Sequence, residues 1–204
     1  GEDSASIEEL YKLNANTLES VYPVHAREEV GEMPTFSFEG KCNISPAVKV
    51  VKPKVLIPVF PGTNCEYDSA RAVEKAGGEA EIYVVRNLTA DDVARSVEEF
   101  SAKVKTAQMI FIPGGFSGGD EPDGSAKFIT AFFRNPAVKE AVTDLLDNRD
   151  GLMCGICNGF QALIKLGLVP YGKIIDTDEN CPTLTFNNIS RHQSRVVHTR
   201  IAST

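Results

Sequence analysis

From residue 54 onward the chain alternates short apolar, often β-branched runs with longer amphipathic stretches, and that rhythm restricts the fold more than any other feature. KVLIPVF (54 to 60), EIYVV (81 to 85), QMIFI (108 to 112) and GLMCGI (151 to 156) read as strands. Between them lie helical texts: CEYDSARAVEKA, stopped by Gly77 and Gly78, then DDVARSVEEFSAKV, capped by Thr89, then AKFITAFF with NPAVKEAVTDLLDN. NGFQALIKLG follows the last strand as a further helix. Runs alternating in this way predict βαβ units, hence an α/β fold with a doubly wound, mainly parallel sheet. Ligands of such sheets sit beyond the carboxyl ends of the strands.

A composition shift near residue 53 sets a boundary. Residues 1 to 53 open with a short helical stretch, SIEELYKLNANTLESVY, and then become irregular, with too few periodic apolar positions for a core of their own. They read as a linker or extension, and residues 54 to 204 as the domain proper. The chain has 21 Lys and Arg against 28 Asp and Glu, a net charge of −7. That balance offers no basic face for nucleic acid. No apolar run approaches the roughly 18 residues of a membrane span, and the acidic start GEDSASIEEL is unlike a secretory signal, so neither membrane nor nucleic acid is an expected partner and the cytoplasm is the expected compartment. Five cysteines, odd in number and scattered, argue against a disulfide framework.

Two loops fall at the same sheet edge: PGGFSGGDEPDGS after the third strand and CNGFQ after the fourth. In GLMCGICNGFQAL a strand runs into a helix through Gly155-Ile156-Cys157-Asn158-Gly159. A G-x-C-x-G corner is a nucleophile elbow with sulfur in place of oxygen, and it sets the sulfur at the positive end of a helix dipole. Cys157 is the candidate nucleophile. Cys154 could pair with it as C-x-x-C for redox or zinc chemistry, but two further ligands are missing, and Cys154 reads as a strand residue packed in the core. No metal site is expected.

The glycine-rich loop lacks the G-K-[ST] ending of a phosphate loop, and Asp120, Glu121 and Asp123 would repel phosphate. Its Gly114 and Gly115 instead leave backbone N–H groups bare beside the cysteine, where one of them and the N–H of Asn158 could stabilise an oxyanion. His25, His192 and His198 are not placed by sequence as an acid–base partner. Three readings therefore stay open on residues alone: a thiol hydrolase, a redox-sensing or glyoxalase-like thiol protein, and a regulatory module in which Cys157 is idle.

FPGTNCEYD, FIPGGFSGGDEPDGS and CGICNGFQALIKLGLVP, in this order and spacing, together resemble the class I glutamine amidotransferase domain of phosphoribosylformylglycinamidine synthases, a flavodoxin-like fold. TLTFNNISRHQSR extends the resemblance, and LNANTLESVYP resembles the linker preceding this domain in the long, single-chain form. The resemblance implies that Cys157 attacks the side-chain amide of L-glutamine to give a thioester and ammonia. It implies an oxyanion hole at Gly115 and Asn158, glutamine held by Gly114, Phe116 and Gln161, and its α-amino and carboxylate end approached by Asn187, Arg191 and His192. Ammonia would pass to a synthase domain of the same polypeptide, for ATP-dependent conversion of formylglycinamide ribonucleotide to its amidine in purine synthesis. ATP and magnesium would bind there, leaving no cofactor in this chain. The acidic DEPDG loop and the extension are the expected docking surfaces. The family completes its cysteine with a later H-x-E, which these residues lack, so the expectation is a C-terminally truncated fragment that binds glutamine, or is alkylated at Cys157, and turns over poorly.

Overall fold

The structure, a computed structural model, describes residues 4 to 21, 45, 49 to 116, 125 to 184, 187, 189 and 192 to 194. The chain forms two compact units, one of Gly1–Ile44 with Thr185–Thr204 and one of Ser45–Leu184.

In the first unit, helix α1 (Ile7–Asn16) starts at a reciprocal cap: Ser6 Oγ accepts from the Glu9 N–H at 3.1 Å, and the Ser6 N–H donates to Glu9 Oε2 at 3.1 Å. That bond to Ser6 holds the Glu9 carboxyl below its usual range. The helix ends at Asn16 rather than running on to Tyr22. Asn14, Asn16 and Thr17 are weak helix formers that compete for nearby backbone groups, and Thr17 Oγ1 donates back to the Leu13 carbonyl. No residue of α1 is buried, and Ile7, Leu10, Tyr11 and Leu13 are all exposed.

The second unit carries the sheet. Strands β1 (Lys54–Val59), β2 (Glu79–Val84), β3 (Met109–Ile112) and β4 (Leu152–Gly155) are all parallel in the order β2-β1-β3-β4, as the alternation predicted. Leu56 is in register with both Glu81 and Ile110, and Ile112 with Gly155. Helices α2 (Glu66–Lys75), α3 (Ala90–Val104), α4 (Lys127–Phe133), α5 (Pro136–Thr143), α6 (Asn158–Leu166) and α7 (Leu168–Tyr171) connect or follow the strands. The last five residues of the long text after the third strand depart from the α form, as a π-helical turn over Asp144–Asn148.

The cover is uneven. On one face Leu56, Ile110 and Ile112 pack with Phe100 and Val104 of α3, Phe132 and Phe133 of α4, Val138 of α5 and Leu163 and Leu166 of α6. Phe60, at the end of β1, joins edge-to-face and tilted contacts among Phe100, Phe132 and Phe133 with centroids 5.4 to 6.2 Å apart. On the other face Val55 and Ile57 meet Val73 of α2, and Met109 and Phe111 are only partly covered. Cys154, in register with Phe111, is consequently half-buried rather than a full core residue. Thr89 caps α3 as predicted, its Oγ1 accepting from the Asp92 N–H at 3.1 Å. At α2 the Gly78 N–H reaches back to the Val73 carbonyl at 3.0 Å across Gly77, whose φ of +92° suits glycine.

Candidate active site

Cys157 occupies the corner between β4 and α6, and the local sequence leaves the chain one way to turn there. The Ile156 N–H extends the ladder to the Ile112 carbonyl at 3.1 Å, and one residue later the Cys157 carbonyl accepts the first bond of α6, from the Gln161 N–H at 3.0 Å. Strand thus becomes helix at a single residue. Cys157 takes φ 53° and ψ −111°, a region that costs a non-glycine residue roughly 1–3 kcal/mol and is held by its surroundings. Both flanking glycines are sterically required. A Cβ on Gly159 would lie 2.1 Å from the Ile112 carbonyl oxygen, and one on Gly155 would lie 2.5 Å from the Gly159 carbonyl. The cysteine itself is exposed.

The loop after β3 closes over this corner. A Cβ on Gly114 would stand 3.3 Å from Cys157 Cβ, so the glycine backbone lies directly against the nucleophile. Gly115 has φ +131°, and a side chain there would strike the Gly62 carbonyl at 2.4 Å. Thr63 and Gly115 form an antiparallel bridge, and the Phe116 N–H donates to the Gly62 carbonyl at 2.9 Å. The loop after β1 is itself fixed, the Phe60 N–H donating to Thr63 Oγ1 at 3.1 Å. β1 and β3 are the neighbours at which the strand order reverses direction, so the site stands at the topological switch point.

Of the residues singled out by sequence, Gly114, Gly115, Cys157, Asn158 and Gln161 are gathered here, Gln161 half-buried in the first turn of α6. Phe116 is 80% exposed on the same loop. Asn158 is 4% exposed, and its side-chain Oδ1 has no hydrogen-bond partner among the described residues. Asn187 and His192 are exposed and belong to the other compact unit. Arg191, Gly118, Asp120, Glu121, Asp123, His25, His198 and Cys42 lie outside the described residues. Among the described residues no group of three His, Cys, Asp or Glu side chains is placed to hold a metal, and no helix is long and apolar enough to cross a membrane.

Sequence reasoning overlooked Cys65. It ends the β1 loop and precedes α2, and its Sγ lies 3.7 Å from the Cβ position of Gly114. The signal was available: the residues after the first strand must reach the same sheet edge as those after the third and fourth. Cys154, three residues before Cys157, sits within β4 and not beside Cys157 at the helix start, so the pair lacks a redox C-x-x-C arrangement.

An exposed thiol on a strained strand–helix corner, faced by the backbone of Gly114, is equipped for acyl transfer from an amide, and similarity to known proteins agrees with this. Residues 52–204 match the family described as CobB/CobQ-like glutamine amidotransferase domain. The phosphoribosylformylglycinamidine synthase subunit PurQ of Methanococcus maripaludis is 34% identical over 151 residues, covering 74% of this chain and 50% of that protein. Its namesake from Dehalococcoides mccartyi is 35% identical over 144 residues, covering 71% and 51%. The chain spans about half the length of the curated relatives it matches. A solved structure titled "Structure of PurLQS from Thermotoga maritima" shares 27% identity at a TM-score of 0.40, covering 57% of this chain and 45% of that one, so the fold rests on the sheet described above. With the elbow motif and the glycine loop both inside the matched residues, the chain belongs to the CobB/CobQ-like glutamine amidotransferase domain family.

Proposed function

We propose that this chain carries the glutamine-hydrolysing function of a phosphoribosylformylglycinamidine synthase. The observation that carries the reading is the apposition of Gly114 to an exposed Cys157 held at φ 53°. The Cys157 thiolate attacks the side-chain carbonyl carbon of L-glutamine, and the carbonyl oxygen becomes an oxyanion. The backbone N–H groups of Gly115 and Asn158 receive that charge; one preorganised donor of this kind is worth about 3–4 kcal/mol of barrier. Collapse of the intermediate breaks the C–N bond, ammonia leaves with an added proton, and a γ-glutamyl thioester remains on sulfur until water releases glutamate. Gly114, Phe116 and Gln161 hold the glutamine.

The relatives are named as synthase subunits, which supports a synthase partner that consumes the ammonia, with ATP and magnesium bound on that partner. Residues 1 to 51 precede the family match and include α1, whose apolar side chains are exposed. They support the finer reading that this domain is joined to its synthase within one long polypeptide, with α1 as a docking surface.

The test is intact-mass labelling with a glutamine-like chloroketone, comparing the chain with Cys157→Ala, with and without excess glutamine. A single adduct, lost in Cys157→Ala and suppressed by glutamine, is the expected result. Adducts spread over Cys65, Cys154 and Cys181 with no protection by glutamine would overturn the glutaminase reading in favour of a thiol protein of another kind.

A further inference from the structure

Cys65 has no part in amide hydrolysis as described, yet it is brought to the same place as the nucleophile. β1 and β4 are separated in the sheet by β3, so their trailing loops would be kept apart if the β3 loop carried a side chain between them. It carries Gly114. The empty Cβ position there is 3.3 Å from Cys157 Cβ and 3.7 Å from Cys65 Sγ, which limits the separation of those two atoms to about 7 Å. In a disulfide the Cβ of one cysteine lies about 3 Å from the sulfur of the other. Rotation of Cys65 about its Cα–Cβ bond together with movement of the β1–α2 loop, the elbow staying in place, closes the remainder, because Cys65 stands at a helix N-cap outside the strands. Both are free thiols, and among the described residues Cys65 Sγ makes only a local hydrogen bond, donating to Asn64 Oδ1 at 3.0 Å.

We propose that Cys65 is a resolving thiol for Cys157, making the site a reversible peroxide-sensitive switch. The Cys157 thiolate attacks the O–O bond of a hydroperoxide. An S–O bond forms, the O–O bond breaks, and the departing oxygen takes up a proton to leave as alcohol or water. Sulfur has lost two electrons to the peroxide and is now a sulfenic acid. Cys65 sulfur then attacks Cys157 sulfur; the S–S bond forms, the S–O bond breaks, and hydroxide leaves as water with the proton from the Cys65 thiol. A dithiol reductant restores both thiols. Without a neighbour, an exposed sulfenic acid proceeds to the sulfinic acid, from which thiols do not recover it. Gly114 is thus needed twice, for the backbone approach to substrate and for the gap left between Cys65 Sγ and Cys157 Cβ.

The experiment treats the full chain with limiting hydrogen peroxide, alongside Cys65→Ser and Cys65→Ala, and reads intact mass and non-reduced peptide maps. The expected wild-type product has lost two hydrogens, yields a peptide pair joined through Cys65 and Cys157, and regains Cys157 chloroketone labelling after dithiothreitol. In both variants Cys157 instead gains oxygen atoms, and recoverable labelling falls at least about tenfold. Unoxidised variants must label at Cys157 as wild type does, which shows that their site is formed; if they do not fold, the wild-type cross-link decides alone. Oxygen addition at Cys157 without a cross-link, a cross-link to Cys154 or Cys181, or no oxidation of Cys157 would each overturn the proposal. The map needs no glutamine, so this result is independent of the glutaminase reading.

Discussion

The two ends of the parallel sheet are built on opposite terms. At the end where the strands begin, most polar groups meet partners, Ser101 Oγ of α3 being an exception among the described residues. The Lys54 N–H donates to Gln108 Oε1 at 2.8 Å, the Gln108 N–H to the Lys54 carbonyl at 2.9 Å, and the Leu152 N–H to the Gln108 carbonyl at 3.1 Å. The Arg149 guanidinium donates to the Val104, Lys105 and Ala107 carbonyls at 2.7 to 3.1 Å, closing the C-terminus of α3, and to Asp144 Oδ2 at 2.9 Å. At the end where the strands finish stand two obligatory glycines, a strained cysteine and a buried asparagine oxygen with no partner among the described residues. The first end holds the fold together; the second uses some of that stability to keep a sulfur exposed and a backbone bare. Side chains are conspicuous where structure is secured, and their absence is what matters where chemistry is done.

Gly159→Ala should produce the largest effect, because its methyl would lie 2.1 Å from the Ile112 carbonyl and backbone on both sides must move. We expect a loss of about 4 kcal/mol or more in denaturant unfolding, the scale of a severe core clash, together with loss of selective labelling at Cys157. Near-wild-type stability and labelling would show that the elbow is looser than the geometry states.

Arg149→Ala tests the other end. Removing four hydrogen bonds from a charged donor and leaving the α3 carbonyls open should cost about 2–3 kcal/mol. Glutamine-suppressed labelling of the folded fraction should stay unchanged. A drop in labelling of folded protein would erase the division between the two ends.

A smaller, pH-dependent effect is expected from Glu81, which joins Lys54 of β1 at 2.7 Å and also pairs with Lys103 of α3. Burial pushes its carboxyl up, but the two ammonium groups outweigh burial and hold it below the usual 4.5. With the folded value below the unfolded one, its contribution is present above about pH 4.5 and is lost as pH falls through the folded value. Thermal unfolding of Glu81→Gln should therefore show a shallower fall in midpoint than wild type on acidification below that range, and parallel curves would reject the role.

The parts of this arrangement that were legible in sequence are those a local pattern dictates. Apolar runs of four to six residues gave strands because parallel strands are covered on both faces, and G-x-C-x-G gave the elbow because its two glycines answer to contacts within a few residues and one neighbouring strand. The approach of Cys65 to Gly114 was not legible that way. It depends on strand order, which sets three loops from distant parts of the sequence side by side. The half-exposure of Cys154 was hidden for a similar reason, since it reflects how few helices cover the α2 face. Asn187, Arg191 and His192 were legible only as a resemblance, with no local pattern to position them.

The smallest expected effect is at Asn158, where the comparison of the two ends is sharpest. A buried carbonyl oxygen with no partner is a liability of roughly 1–3 kcal/mol that an apolar side chain would not incur. Removing the side chain also removes packing in a site only 4% exposed, so the two terms oppose each other. Asn158→Ala should accordingly change unfolding free energy by less than about 1 kcal/mol, against the 2–3 kcal/mol expected when Arg149 loses its partners. The backbone N–H assigned to the oxyanion survives the substitution, so alkylation of Cys157 should persist. If labelling by the chloroketone persists while protection by glutamine is lost, the Asn158 amide reaches the substrate, and its unpartnered oxygen is an acceptor reserved for glutamine. If both persist with stability unchanged, the side chain is a passive part of the helix start and the backbone alone does the work at this corner.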